Sequence, residues 1–166
     1  MEAVPQILAV DACHFETQIP GHILGASFLD AARHIVFLAW GISVENENRD
    51  NWESFLSFIS HAFESSGLES RKIAVIGDRG KGLVPACQNV FNTGFQYHCI
   101  QHITENVRTT FNANVEKLFR ARPPQNREQF CLPRLLEIQA INPAAAEYIR
   151  AIDPRTWTKW AAPLAD

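Results

Sequence analysis

The sequence has no apolar run of the roughly 18 residues that a membrane-spanning helix needs; its longest, Ile35 to Val44, has the length of a strand. The opening Met1-Glu2-Ala3-Val4-Pro5 lacks the basic-then-apolar order of a signal peptide. Only four cysteines are present, Cys13, Cys87, Cys99 and Cys131, and their scatter builds no disulfide framework, which suits a reducing compartment. There is no internal repeat and no low-complexity tract. A global basic surplus is also missing, since the net charge is −3. That removes the simplest electrostatic signature of nucleic-acid binding. The charge is uneven, however. Residues 1–103 carry 6 Lys/Arg against 11 Asp/Glu, whereas residues 104–166 carry 9 against 7. The small C-terminal surplus does not argue for DNA binding by itself.

What remains is an ordinary folded composition, 46% hydrophobic and 20% charged over 166 residues, enough for one domain with an appendage. Gln6 to Cys13, Ile23 to Leu29 and Ile35 to Val44 read as three strands joined by short connections, an antiparallel meander. Asn51 is placed to cap a helix with apolar positions Trp52, Phe55, Leu56, Ile59 and Phe63, a single buried face ending near Gly67. A strand from Ile73 to Gly77, a helix from Leu83 to Phe91 and a strand from Phe95 to Ile100 follow. The order β-β-β-α-β-α-β is the layout of a ribonuclease-H-like mixed sheet in an α/β fold. A dinucleotide fold alternates from its start, and Gly77, Gly80 and Gly82 do not form its G-x-G-x-x-G turn. From Ile103 to Arg122, Phe130 to Ile141 and Ala144 to Ile152 the pattern is helical, with Pro123-Pro124 as a break and Asn142-Pro143 as a start signal. The expected division is a core over residues 1–103, incomplete as a catalytic domain, and a helical extension over residues 104–166.

The chemistry-bearing candidates lie at strand ends. Asp11 interrupts the first strand near its end, and Asp78 follows the fourth. An isolated strand aspartate is commonly a turn or cap residue, but the residues around Asp11 do not read as a turn. In a ribonuclease-H-like sheet these strands are parallel neighbours, so the two carboxylates would meet and repel unless a hard cation lay between them. Arg79 and Lys81 flank the following turn and are candidate phosphate contacts, with a solvated turn as the plain alternative. Cys99 and His102 make C-x-x-H, half of a zinc site with no evident second half. On the residues alone, packing of Cys99 and capping by His102 is the better account. Trp40, Trp52, Trp157 and Trp160 are candidate stacking residues, though burial is the commoner reason for such tryptophans.

Four stretches in order, AVDACHF, ISVENENRDNWESFLSFI, GDRGKGLVPACQNVF and YHCIQHITEN, resemble the catalytic segment of Mutator-like (MULE) transposases. Asp78, Gly82, Leu83, Cys99 and His102 fit that family's Asp, Gly-aliphatic and C-x-x-H signature in order. The resemblance implies a DDE-type recombinase that cuts transposon terminal repeats with Mg²⁺ or Mn²⁺, with Asp11 and Asp78 as its first two acidic residues. It makes Cys99 and His102 a family element, with no zinc cofactor expected, and implies DNA as partner, a nuclear location and room for a homo-oligomer. No membrane partner is expected. The family's third acidic residue belongs to a Ser/Asn-rich motif that this sequence lacks, and Glu137 and Glu147 have no motif to license them. The upstream zinc-type DNA-binding module is not in the sequence either. The chain is therefore expected to be a fragment, a truncated copy or a domesticated remnant. Two competing readings follow, a transposase core completed by a third carboxylate and a catalytically dead module that binds DNA or protein. A stand-alone ribonuclease-H-like nuclease is a third.

Overall fold

The computed structural model describes residues 7–16, 18–30, 32, 34–44, 47–68, 73–80, 82–91, 96–120 and 128–158. Two compact units divide the chain, residues 1–97 and 98–166.

The first unit is built on β1 (Ile7–Phe15), β2 (Gly21–Leu29), β3 (Ile35–Ser43), α1 (Arg49–Ser65), β4 (Ala74–Gly77) and α2 (Leu83–Phe91), with β5 (Gln96–His98) at its boundary. The fold is α/β, with a mixed sheet of five strands in the order β3-β2-β1-β4-β5. Short loops make β1–β2 and β2–β3 antiparallel, and the passage through α1 brings β4 back parallel to β1. The first two strands run further toward their hairpin than the turn signal Pro20-Gly21 suggests. Gly21 is the first residue of β2 and sits where a Cβ would come within 2.5 Å of the Ser43 carbonyl oxygen and 2.7 Å of the Phe15 ring. Only glycine lets the ladder close there.

Strand alternation sorts the sheet into two faces. Leu8 and Val10 of β1 and Leu24 and Ala26 of β2 turn inward onto Trp52, Leu56 and Ile59 of α1 and Leu83, Ala86 and Phe91 of α2. The apolar spacing read from the sequence thus marks the buried side of α1. Its cap differs: Asn48 caps the helix, its side-chain oxygen accepting the Asn51 N–H at 2.9 Å, and Asn51 instead reaches the Ser43 hydroxyl at 2.7 Å. Both asparagines precede the same apolar run, so the sequence did not separate them. Gly67, at φ +78°, takes the left-handed turn beyond the helix. On the reverse face, Ile23, Phe37, Trp40 and Ile42 remain exposed.

The second unit is helical: α3 (Ile100–Thr110), α4 (Ala113–Arg120), α5 (Glu128–Ile141) and α6 (Pro143–Arg150), then a 3₁₀ turn at Pro154–Thr156. The single helix expected from Ile103 to Arg122 is two. The Asn112 side chain accepts the N–H groups of Asn114 and Val115 at 2.9 and 3.0 Å, starting a new helix inside a run whose apolar spacing continues across the break. Val107, Val115, Ile138, Ala145, Ala146 and Ile149 form its core. Asn142 caps α6 through the Ala145 N–H at 3.0 Å with Pro143 in the first turn, as the Asn-Pro pair predicts. Trp157 packs against Phe119 with ring centroids 5.5 Å apart, and Trp160 lies outside the described residues.

Leu56 is fully buried between sheet and helices, whereas Ile35 on the edge strand is 76% exposed. Leu56→Ala is expected to cost about 2–5 kcal/mol of unfolding free energy in urea titration, and Ile35→Ala less than about 0.5 kcal/mol.

Candidate functional site

The β1–β4 ladder pairs Ile7 with Ala74, Leu8 with Val75 and Ala9 with Ile76. Continuing this constant offset puts Val10 beside Gly77 and Asp11 beside Asp78. An independent contact supports the first step: a Cβ on Gly77 would lie 3.0 Å from Val10 Cγ2 and 3.1 Å from the Val10 carbonyl oxygen. Neighbouring strands are about 4.8 Å apart, so on this continued register the two aspartates would start from adjacent backbone positions. Alternation assigns Asp11 to the face opposite the buried Leu8 and Val10.

Asp11 is exposed, and its Oδ1 accepts the Ala12 N–H at 2.9 Å. Its partner on β2 is Gly25, and the partner of Gly25 on β3 is Trp40. The Phe37 ring covers that glycine, its Cζ 3.5 Å from where a Cβ on Gly25 would be, and the next residue in the row is an indole that is 66% exposed. Burial accounts for Trp52, at 1% exposure, but not for Trp40. Asp78 is half-buried at the end of β4, and its Oδ1 accepts the Arg79 N–H at 2.6 Å. The turn after it is held against the start of α1. A Cβ on Gly82 would fall 2.7 Å from the Asn48 carbonyl carbon and 2.9 Å from the Arg49 nitrogen. Arg79 is half-buried in this turn, and Lys81 lies outside the described residues.

One contributor to this region was not singled out in the sequence. Glu47 accepts the Trp52 indole N–H at 2.8 Å, and its Oε1 lies 3.5 Å from where a Cβ on Gly80 would be. The signal was available, because a buried tryptophan needs an acceptor for its N–H, and a carboxylate stands five residues before it. Glu47 therefore ties the buried indole to the loop after Asp78.

Cys99 and His102 belong to the second unit. Cys99 occupies the N-cap position of α3 without a side-chain cap bond, and His102 lies inside the first turn. Both are half-buried. Among the described residues, no group of three or more His, Cys, Asp or Glu is arranged to hold a metal ion. Glu137 on α5 is ion-paired with Arg134 at 2.7 Å, and Glu147 on α6 is exposed. The Arg155 guanidinium holds the Asp153 carboxyl below the usual carboxylate range.

A cavity of about 430 Å³ opens at the start of β1, among Leu8, Phe28, Leu38, Phe58, Phe63 and Leu68. Its lining includes no titratable side chain, so it offers no acid–base or metal chemistry. No described helix is long and apolar enough to cross a membrane.

The model of the MULE transposase domain matches residues 7–106, a span that takes in Asp11, Asp78 and the C-x-x-H pair. The chain belongs to the MULE transposase domain family. No curated protein matches it. A MULE domain points to a transposase-like function and implies DNA binding in general.

Burial pushes the Cys87 thiol up to about 12, while Cys13 is exposed. Iodoacetamide at neutral to mildly alkaline pH is expected to alkylate Cys13 and to leave Cys87 unmodified until urea unfolds the chain; mass mapping of the labelled peptides checks this. Cys87 stays protonated in the folded state up to about 12, whereas the unfolded thiol ionises from its ordinary 9.0. Its contribution to stability is therefore complete below that lower value and declines as pH rises between the two, a decline that Cys87→Ala should remove in pH-dependent urea titrations.

Proposed function

We propose that the first unit is a ribonuclease-H-like DDE transposase core in which Asp11 and Asp78 supply two of the carboxylates for metal-dependent cleavage and strand transfer at transposon ends. The observation that supports this reading is the β1–β4 register, which, carried two residues beyond its last pair, brings Asp11 beside Asp78. The strand order β3-β2-β1-β4-β5 with β1 and β4 parallel supports the fold assignment. Membership of the MULE family supports the reaction class.

The donor set fits the implied cation. Two carboxylates on adjacent strands repel each other, and hard divalent ions such as Mg²⁺ or Mn²⁺ prefer oxygen ligands of this kind. Asp11 and Asp78 would hold the ion. When bound, it supplies Lewis-acid stabilisation of the attacking and leaving oxygens in phosphoryl transfer. The chain's own contribution is placement. The β1–β2 ladder fixes Asp11, and the close approach of Gly82 to Asn48 and Arg49 restrains the turn that follows Asp78 and Arg79. In this reading Arg79 and Lys81 meet the phosphate backbone, the terminal repeats are the substrate, and copies pair across two ends in the nucleus.

A second reading is a domesticated remnant that binds DNA or a protein partner without cutting. It is favoured by the donor geometry: among the described residues, no group of three or more His, Cys, Asp or Glu is arranged to hold a metal ion. A nicking assay on terminal-repeat duplex with Mn²⁺ separates the two. The transposase reading expects cleavage that drops by about 10²-fold or more in Asp11→Asn and in Asp78→Asn. Full activity in Asp78→Asn would overturn the proposed role of that residue. A folded wild-type chain that shifts the DNA but never nicks it would establish the remnant instead.

A further inference from the structure

We propose that His14 and His22 form a two-imidazole chelate for a borderline divalent transition metal, Zn²⁺ or Ni²⁺, at the end of the β1–β2 hairpin. The two residues are direct partners in the antiparallel ladder, and their ring centroids lie 4.9 Å apart with the planes tilted by 49°. A metal-bound imidazole nitrogen stands about 2.1 Å from the ion and about 1.1 Å from its ring centre, so each arm spans about 3.2 Å. Two such arms meeting at between about 90° and the tetrahedral angle place the ring centres about 4.5–5.2 Å apart. The observed separation falls within that interval, and the 49° tilt shows that the rings are not stacked face to face.

The backbone holds this arrangement in place. Ladder pairs on both sides, Cys13 with Ile23 and Phe15 with Gly21, fix the two Cα positions, so an ion would order little that is not already ordered. The His14 side chain is 51% exposed, which gives an ion access. Glu16 places Oε1 3.8 Å from His14 Nε2, near enough to add negative charge to the site. Water completes the coordination. Imidazole nitrogen selects Zn²⁺, Ni²⁺ or Cu²⁺ over Mg²⁺, so this site and the carboxylate pair sort ions by ligand type. They are also on opposite faces: three positions separate Asp11 from His14, and Cys13 alternates to the Asp11 side. Cross-linking the two strands would clamp the hairpin end of the sheet.

The test is calorimetric titration of the full chain with Zn²⁺ in millimolar Mg²⁺ near neutral pH, repeated on His14→Gln, His22→Gln and, as control, His34→Gln. Loss of either chelating imidazole is expected to weaken this binding by about tenfold or more, and His34→Gln to leave it unchanged. Binding within twofold of wild type in both His14→Gln and His22→Gln, or displacement of Zn²⁺ by Mg²⁺, would overturn the proposal. Thermal unfolding in EDTA establishes that the variants fold. Should one not fold, Ni²⁺ broadening of wild-type amide resonances decides: losses centred on residues 13–15 and 21–23 support the chelate, and losses centred elsewhere refute it.

Discussion

The parallel pairing of β1 with β4 is the constraint on which the rest of the first unit depends. It exists because the chain leaves β3, runs through α1 and returns beside β1, a crossover that needs a helix long enough to span the sheet. Trp52, Leu56 and Ile59 anchor that helix on the inward side chains of β1 and β2. The close fit at Gly77 and Gly82 then sets where β4 ends and how the following turn sits on the start of α1. Shift the register by one residue and every side chain on β4 changes face. Carried on by two residues, the same register brings Asp11 beside Asp78.

Much of this could be read from residue patterns. Short connections between three apolar runs, then a helix with apolar residues on one face, specify an antiparallel meander followed by a crossover, and the observed element order follows it. Asp78 was conspicuous as a carboxylate directly after a short β-branched run. The opposite side of the sheet was harder. Ile35-Val36-Phe37-Leu38-Ala39-Trp40 reads as a continuous apolar strand, the pattern of burial on both faces, yet β3 is an edge strand with Phe37 and Trp40 exposed. A run without polar alternation does not say which face is covered. The break at Asn112 was hidden for a related reason: Val107, Phe111 and Val115 keep helical spacing through it, and only the asparagine's bonds to the next turn reveal the new start.

The carboxylates and the histidine pair illustrate how one sheet can present two kinds of ligand. Because side chains alternate along β1, Asp11 and His14 emerge on different faces although they are three residues apart. His22 is the partner of His14 along the antiparallel pairing, and the parallel register, carried two residues beyond its last pair, brings Asp78 beside Asp11. In the proposed reading, oxygen and nitrogen donors are thereby kept separate, and selective binding of hard and borderline ions becomes a matter of strand register.

The central claim is that Asp11 and Asp78 form one cation site. Paramagnetic broadening by Mn²⁺ of the amide resonances of the chain tests it most directly. If the claim holds, residues 10–12 and 77–79 lose intensity together at the lowest Mn²⁺ additions, and Asp11→Asn protects both segments at once. Broadening of only one segment, or protection confined to the substituted strand, would contradict it.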